Sequence, residues 1–218
     1  MQRYVSAHFV GCCILLLMIN TLCASDKETR VFQVHIDDKP AGQFTLQQQR
    51  NGQGLETVSI QTHVSHKQYL MTYKYDLQTT EEWLHGKLIK LHAFTNDDGT
   101  KTTVQVVKPG SVFVNGYKRN LDDVPFTLTG WRIPPGIEQA ASFSALDAET
   151  GQVVPVQIKA EGAIQVKAAG RLILGKRYRM LAKDVDAELW FDAEGKLVGS
   201  IRKEDGHRVT LTLTAIQP

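Results

Sequence analysis

Apolar and polar residues alternate with a period of two along most of this chain. Tyr69, Met71, Tyr73, Tyr75 and Leu77 fall on one face of the run 68–77, with Thr72, Lys74 and Asp76 on the other. That is the pattern of an antiparallel strand with one face on a core. It recurs in Phe32/Val34/Ile36, Val58/Ile60/Thr62/Val64, Leu172/Leu174 and Val209/Leu211/Leu213. Turn chemistry separates the runs at Asp37–Gly42, Asn51–Gly54, His85-Gly86, Asn96–Gly99, Pro109-Gly110, Asn115-Gly116, Ala193–Gly195 and Asp205-Gly206. The spacing predicts a meander of about ten or more strands.

One region departs from this period. Val124–Gly151 contains Pro134-Pro135, which cannot sit in a central strand, and then Ile137, Ala140, Ala141 and Phe143 at helix-like spacing. An irregular crossing over 127–136 and a helix-like stretch over 137–148 are expected here, together forming a connection or lid. They divide a front half (about 29–120) from a back half (about 152–216) of one sheet system. Glu82-Trp83-Leu84-His85-Gly86-Lys87-Leu88 in the front half echoes Leu189–Leu197 in the back, each a Trp-bearing strand followed by a glycine turn and Lys-Leu. The predicted fold is mainly β: a curled antiparallel sheet or half barrel with one short helical lid segment. A two-sheet sandwich is the alternative. A curled sheet can enclose a cavity, whereas a sandwich fills its interior.

The amino terminus changes where this fold is expected to work. Arg3 is followed by the apolar stretch Phe9–Leu22 and by small residues through Ser25, the order of an export signal. Residues 1–24 are read as a signal peptide, cleaved after Ala24 or Ser25, and 25–218 as one β-rich domain, periplasmic or secreted. The apolar stretch is shorter than the roughly 20 residues that cross a bilayer. Cys12, Cys13 and Cys23 all lie within the signal, so the mature domain is expected to hold its fold by burial alone, without disulfides or thiol chemistry. Loss of Arg3 leaves 24 basic against 23 acidic residues, without a basic run. Nothing in this balance calls for nucleic acid, and contact with a membrane is expected to be only transient.

Candidate chemistry is sparse. His63 and His66 would share a face on a helix but point apart on a strand, so no metal site and no cofactor is predicted. Glu81 and Glu82 likewise face opposite ways, and Asp97-Asp98 and Asp122-Asp123 sit in turn contexts. No nucleophile elbow, Ser-x-x-Lys motif or phosphate loop occurs. An enzyme would have to draw on Glu82, His92 and Asp98, but no catalytic residue is assigned. The aromatic residues remain, and Tyr69, Met71, Tyr73, Tyr75, Trp83, Trp131 and Phe143 are the expected ligand-binding set.

The segments Glu82-x-x-x-Gly86-Lys87-Leu88, Phe94–Gly99, Thr129-Gly130-Trp131 and Leu189-Trp190-Phe191-Asp192-x-x-Gly195-Lys196-Leu197-Val198 resemble an uncharacterised family of exported bacterial β proteins. Val34-x-Ile36-Asp37-x-Lys39-x-x-Gly42 resembles the first hairpin of that family. The resemblance implies a fold and carries over no catalytic residue. More distantly, the expected shape is similar to that of LolA-like periplasmic lipoprotein carriers, on architecture alone. Together these readings favour an envelope binding protein that holds a lipid, acyl chain or other hydrophobic small molecule. The alternative is a structural or assembly protein that pairs with another envelope protein; an enzyme is the remaining class.

Overall fold

The structure is a computed structural model describing residues 26–68, 71–120, 126–134, 136–183, 185–204 and 206–218. The stretch read as an export signal and Tyr69 lie outside the described residues.

The front half comprises β1 (Asp26–Ile36), β2 (Lys39–Arg50), β3 (Leu55–Gln68), β4 (Met71–Leu84), β5 (Lys87–Asp97), β6 (Thr100–Lys108), β7 (Ser111–Val114) and β8 (Tyr117–Asn120). The back half comprises β9 (Ala140–Leu146), β10 (Val153–Ala168), β11 (Arg171–Ala182), β12 (Val185–Asp192), β13 (Leu197–Glu204) and β14 (His207–Gln217). All belong to one antiparallel sheet of 14 strands, ordered β8-β7-β6-β5-β4-β3-β2-β1-β14-β13-β12-β11-β10-β9. Strands adjacent in sequence are therefore adjacent in space, except β8 and β9. β1 also pairs with β14, from Thr29↔Gln217 to Ile36↔Val209. This seam joins two meanders into one sheet, and β8 and β9 are left at its two ends.

The period-two pattern decides which face is inside. On β4, Tyr75, Leu77, Thr79, Glu81 and Trp83 are buried, while the residues between them are exposed or half-buried. Phe32, Leu46, Val58, Ile60 and Leu213 do the same on other strands, and both halves contribute to a single core. Each such side chain stabilises the fold by roughly 1.5–3 kcal/mol of burial before entropy is set against it.

The segment 126–134 shows that the sheet is curled. Phe126 packs edge-to-face on Trp83 of β4 and on Phe143 of β9, at centroid distances of 5.8 and 5.5 Å. Eight strands separate β4 from β9 in the sheet order, so only a sheet wrapped around this segment can touch it from both sides. At the other end of the wrap, the β10–β11 turn folds back on the seam, where Ala169 N–H donates to Leu213 O at 3.0 Å. The sheet is not closed: among the described residues no pairing joins β8 to β9. It is the single curled sheet of the first reading and not the two-sheet sandwich.

Four expectations need correction. No helix occurs among the described residues, and the predicted lid over 137–148 is the edge strand β9. Ala141, Phe143 and Ala145 turn inward there while Ala140, Ser142 and Ser144 are exposed. Small Ala and Ser side chains hide a period of two, and Val153–Lys159 of β10 offers a ladder that outweighs weak helix propensity. The crossing segment is also no lid, because it runs inside the wrap as a plug. The row Met71/Tyr73/Tyr75 is buried only at Tyr75, 8 % exposed, against 39 % for Tyr73 and 78 % for Met71. The β3–β4 pairing runs on to Gln68↔Met71, whereas β2 stops at Val64 and β5 begins at Tyr75. The outer end of β4 thus overhangs the core as a two-stranded ribbon. Lastly, Leu172 and Leu174 face solvent and Ile173 is buried, a parity that an unbroken Leu-Ile-Leu run cannot specify.

The internal echo is not a repeated packing unit. Trp83 points into the core, whereas Trp190 lies half-buried on the outer face and its neighbour Phe191 takes the inward position. Trp190 covers Gly199, where an added Cβ would come within 2.7 Å of the indole.

Candidate ligand cavity

Two adjoining features occupy the interior of the wrap: the anchored plug and a cavity beside it. The plug is held at Glu81. This side chain is fully buried on β4, and its Oε2 accepts the indole N–H groups of Trp83 and Trp131, each at 2.8 Å. Its Oε1 accepts the Thr129 hydroxyl at 2.8 Å, and the Thr127 hydroxyl lies 3.2 Å from both oxygens. Burial pushes the Glu81 carboxyl above its ordinary pKa, opposed by these donors, Trp131 foremost. Trp83 and Trp131 meet edge-to-face at 5.9 Å, and the Arg132 guanidinium sits 4.9 Å from each ring. Arg132 also reaches Glu56 at 3.4 Å. Leu128 N–H donates to Leu146 O at 2.8 Å and Leu146 N–H to Phe126 O at 2.9 Å, tying the plug to β9. Three strands and the plug are thus locked by charged and neutral hydrogen bonds in a water-poor site.

The cavity has a volume of about 360 Å³. Val34, Phe44 and Ile60 from the front half and Ala187, Leu189 and Leu197 from the back half form apolar walls, and Leu128, Thr129 and Gly130 of the plug close one side. Its polar groups are Tyr73, Tyr75, Asp147, Glu149, Arg202 and Glu204, with Thr62, Thr150 and Ser200. The β9–β10 turn aims Glu149. Asp147 Oδ1 accepts Glu149 N–H at 2.8 Å, Asp147 Oδ2 accepts the Thr150 hydroxyl at 2.6 Å, and Gly151 N–H donates to Asp147 O at 2.8 Å. Gly151 has φ +68°, and an added Cβ there would lie 2.4 Å from Val114 Cγ2. A glycine is required on both counts.

Burial is the main cause of the shifted titrations at this site. It pushes Glu149 up to about 7, with Arg202 opposing and Asp147 adding to the rise. It likewise raises Tyr75 well above its usual value, with Glu149 contributing. Tyr73 is raised by burial and by donating to Asp97 at 2.8 Å. Arg202 Nε is paired with Glu204 at 3.0 Å.

Of the ligand-binding residues expected from sequence, Tyr73 and Tyr75 line this cavity. Trp83 and Trp131 are packed around Glu81, and Phe143 stacks against Phe126 under β9. Met71 is exposed on the overhanging ribbon. Glu82 points out of the sheet and pairs with Lys90 at 3.0 Å, His92 is exposed, and Asp98 sits in a turn at the opposite end of β4 beside Lys74. These three are not brought together. The residues that sequence reasoning passed over are Glu149, Arg202 and Glu204. Glu81, noted only for facing away from Glu82, could have been found by parity, since it shares the inward register of Tyr75, Leu77 and Trp83.

Residues 32–214 match the model of a domain of unknown function, DUF6134. The chain belongs to the DUF6134 family. The expected kinship with an uncharacterised β-rich family is therefore met. The fold of this chain is also similar to the crystal structure of a beta-barrel-like protein of DUF1849, another domain of unknown function, from Brucella abortus. The TM-score is 0.67 at 10% identity, covering 88% of this chain and 97% of that one. At that identity the likeness speaks for the fold alone. None of the curated proteins matches this sequence.

Proposed function

We propose that this protein is a non-enzymatic binding protein of the cell envelope, which holds an apolar or amphipathic ligand such as a lipid or acyl chain inside its curled sheet. The observation that carries the reading is the cavity of about 360 Å³, walled by aliphatic side chains of both halves and edged by a few polar groups. Its size lies within the roughly 300–1,000 Å³ of small-molecule sites. Each methylene transferred into it would contribute roughly 0.8 kcal/mol. The amino-terminal signal read from the sequence supports export.

Native mass spectrometry of protein recovered from the envelope tests this reading. The expected result is a bound hydrophobic small molecule, lost in Ala187→Phe, which fills the cavity from its wall. Protein with a wild-type melting curve that carries no ligand, and takes up none from a panel of single-chain amphiphiles, refutes it.

The edge strand β9 favours a second reading, assembly with another envelope protein. The outer backbone groups of Ala140, Ser142 and Ser144 face away from β10, in line with Leu146, and no described residue pairs with them. This edge also lacks the charged side chains that usually protect one. Crosslinking from cysteine placed at Ser142 tests it, with capture of a strand-pairing envelope protein as the supporting outcome and no crosslink in intact cells as the refuting one.

A further inference from the structure

The polar groups around the cavity say what sort of ligand end they suit. We propose that the cavity takes a single-chain amphiphile ending in a protonated amine, with the ammonium received by Glu149 and Glu204 and the chain laid against the aliphatic walls. This deepens the binding reading above and rests on it.

The charge inventory is lopsided. Asp147 and Glu149 come from the β9–β10 turn, Arg202 and Glu204 from β13, and the Tyr73 and Tyr75 hydroxyls from β4, with Asp97 of β5 behind Tyr73. Arg202 is the single cation among the described lining residues, and it is already paired with Glu204. A carboxylate or phosphate head would meet three lining carboxyls and one engaged guanidinium. An alcohol brings one donor to this set, no charge, and an acceptor that it does not need. An ammonium brings three donors and no acceptor, the complement of such a set. Glu149 is partly withdrawn from water beside an apolar wall, where opposite charges attract more strongly than in bulk solvent. Its carboxyl, pushed up to about 7 by burial, would be drawn into the charged form by an ammonium and would release its proton on binding. The modest volume, about 360 Å³, suits one alkyl chain and not two.

Calorimetric titration of the whole processed protein with dodecylamine, dodecanoate and dodecanol, each below its micelle concentration, separates the possibilities. At pH 8 dodecylamine is expected to bind about tenfold or more tightly than dodecanoate. Glu149→Gln keeps a hydrogen-bonding partner for Tyr75, and is expected to bring dodecylamine down towards dodecanol while leaving dodecanol unchanged. In the wild type, dodecylamine affinity is expected to fall between pH 8 and pH 6 as Glu149 takes up a proton, and the variant is expected to lose that dependence. Equal binding of all three probes, or tightest binding of dodecanoate, overturns the amine assignment and leaves the cavity reading standing. Failure of every probe to bind correctly folded protein overturns the cavity reading itself.

Discussion

Replacing Glu81 by two residues of similar length isolates the hydrogen bonds that hold the plug. Gln and Met both remove the charge, so the cost of burying a carboxylate cancels between them. Gln can place its carbonyl oxygen where Oε2 now accepts both indole N–H groups, and its amide can donate to Thr129 and Thr127, whose hydroxyls rotate to accept. Met offers no comparable acceptor. The N–H groups of Trp83 and Trp131 are then buried and unpaired, at about 1–3 kcal/mol each, so Glu81→Met should be less stable than Glu81→Gln by about 2–6 kcal/mol. With a urea m-value of about 2 kcal/mol/M, that separates the midpoints by about 1–3 M. Trp83 and Trp131 report the transition by their own fluorescence. Coincident midpoints for the two variants, or a more stable Met variant, would refute the view that this carboxyl anchors the plug.

Other outcomes follow from the same geometry. For Glu149 the folded pKa, about 7, lies above its ordinary value of 4.5. The folded state therefore binds the proton more tightly, and stability contributed below pH 4.5 is lost as pH rises towards 7. Melting temperatures should fall across that window in the wild type, and Glu149→Gln should flatten the fall. Gly151→Ala forces a Cβ into Val114 at a left-handed φ and should cost about 1–3 kcal/mol by chemical denaturation. Arg30, 3 % exposed, donates to Glu28 and Asp192 at 2.6 Å each and to Leu197 O at 2.8 Å. Arg30→Met strands a buried carboxylate and should lose about 3–5 kcal/mol, with part recovered in the double variant Arg30→Met/Asp192→Asn.

Sequence showed the strands because alternation is local and cumulative: the inward positions of β1 and the Tyr75–Trp83 stretch of β4 can be read residue by residue. Local pattern failed where neighbours decide. β9 looks helical until β10 is laid beside it, and Met71 looks buried until its end of β4 is seen to outrun both flanking strands. The cavity was foreseen only as a property of a curled sheet. Its walls were missed because Phe44, Ala187 and Leu197 look like any core residues. Glu149 and Arg202 were missed because they lie more than 50 residues apart and meet only through the wrap. The large indoles drew attention instead, and they are spent on packing the plug.

The β1–β14 seam has a consequence for how the molecule is put together. A ribosome releases the first strand long before β14, so the joint between the two meanders closes only once both have been made, and such distant pairings form slowly. Thr29 stands opposite Gln217, so a short tether could link β14 to β1 there and the chain could be cut open just before Phe126. In that circularly permuted version every ladder would connect sequential neighbours. It should reach the same architecture faster than the natural order does.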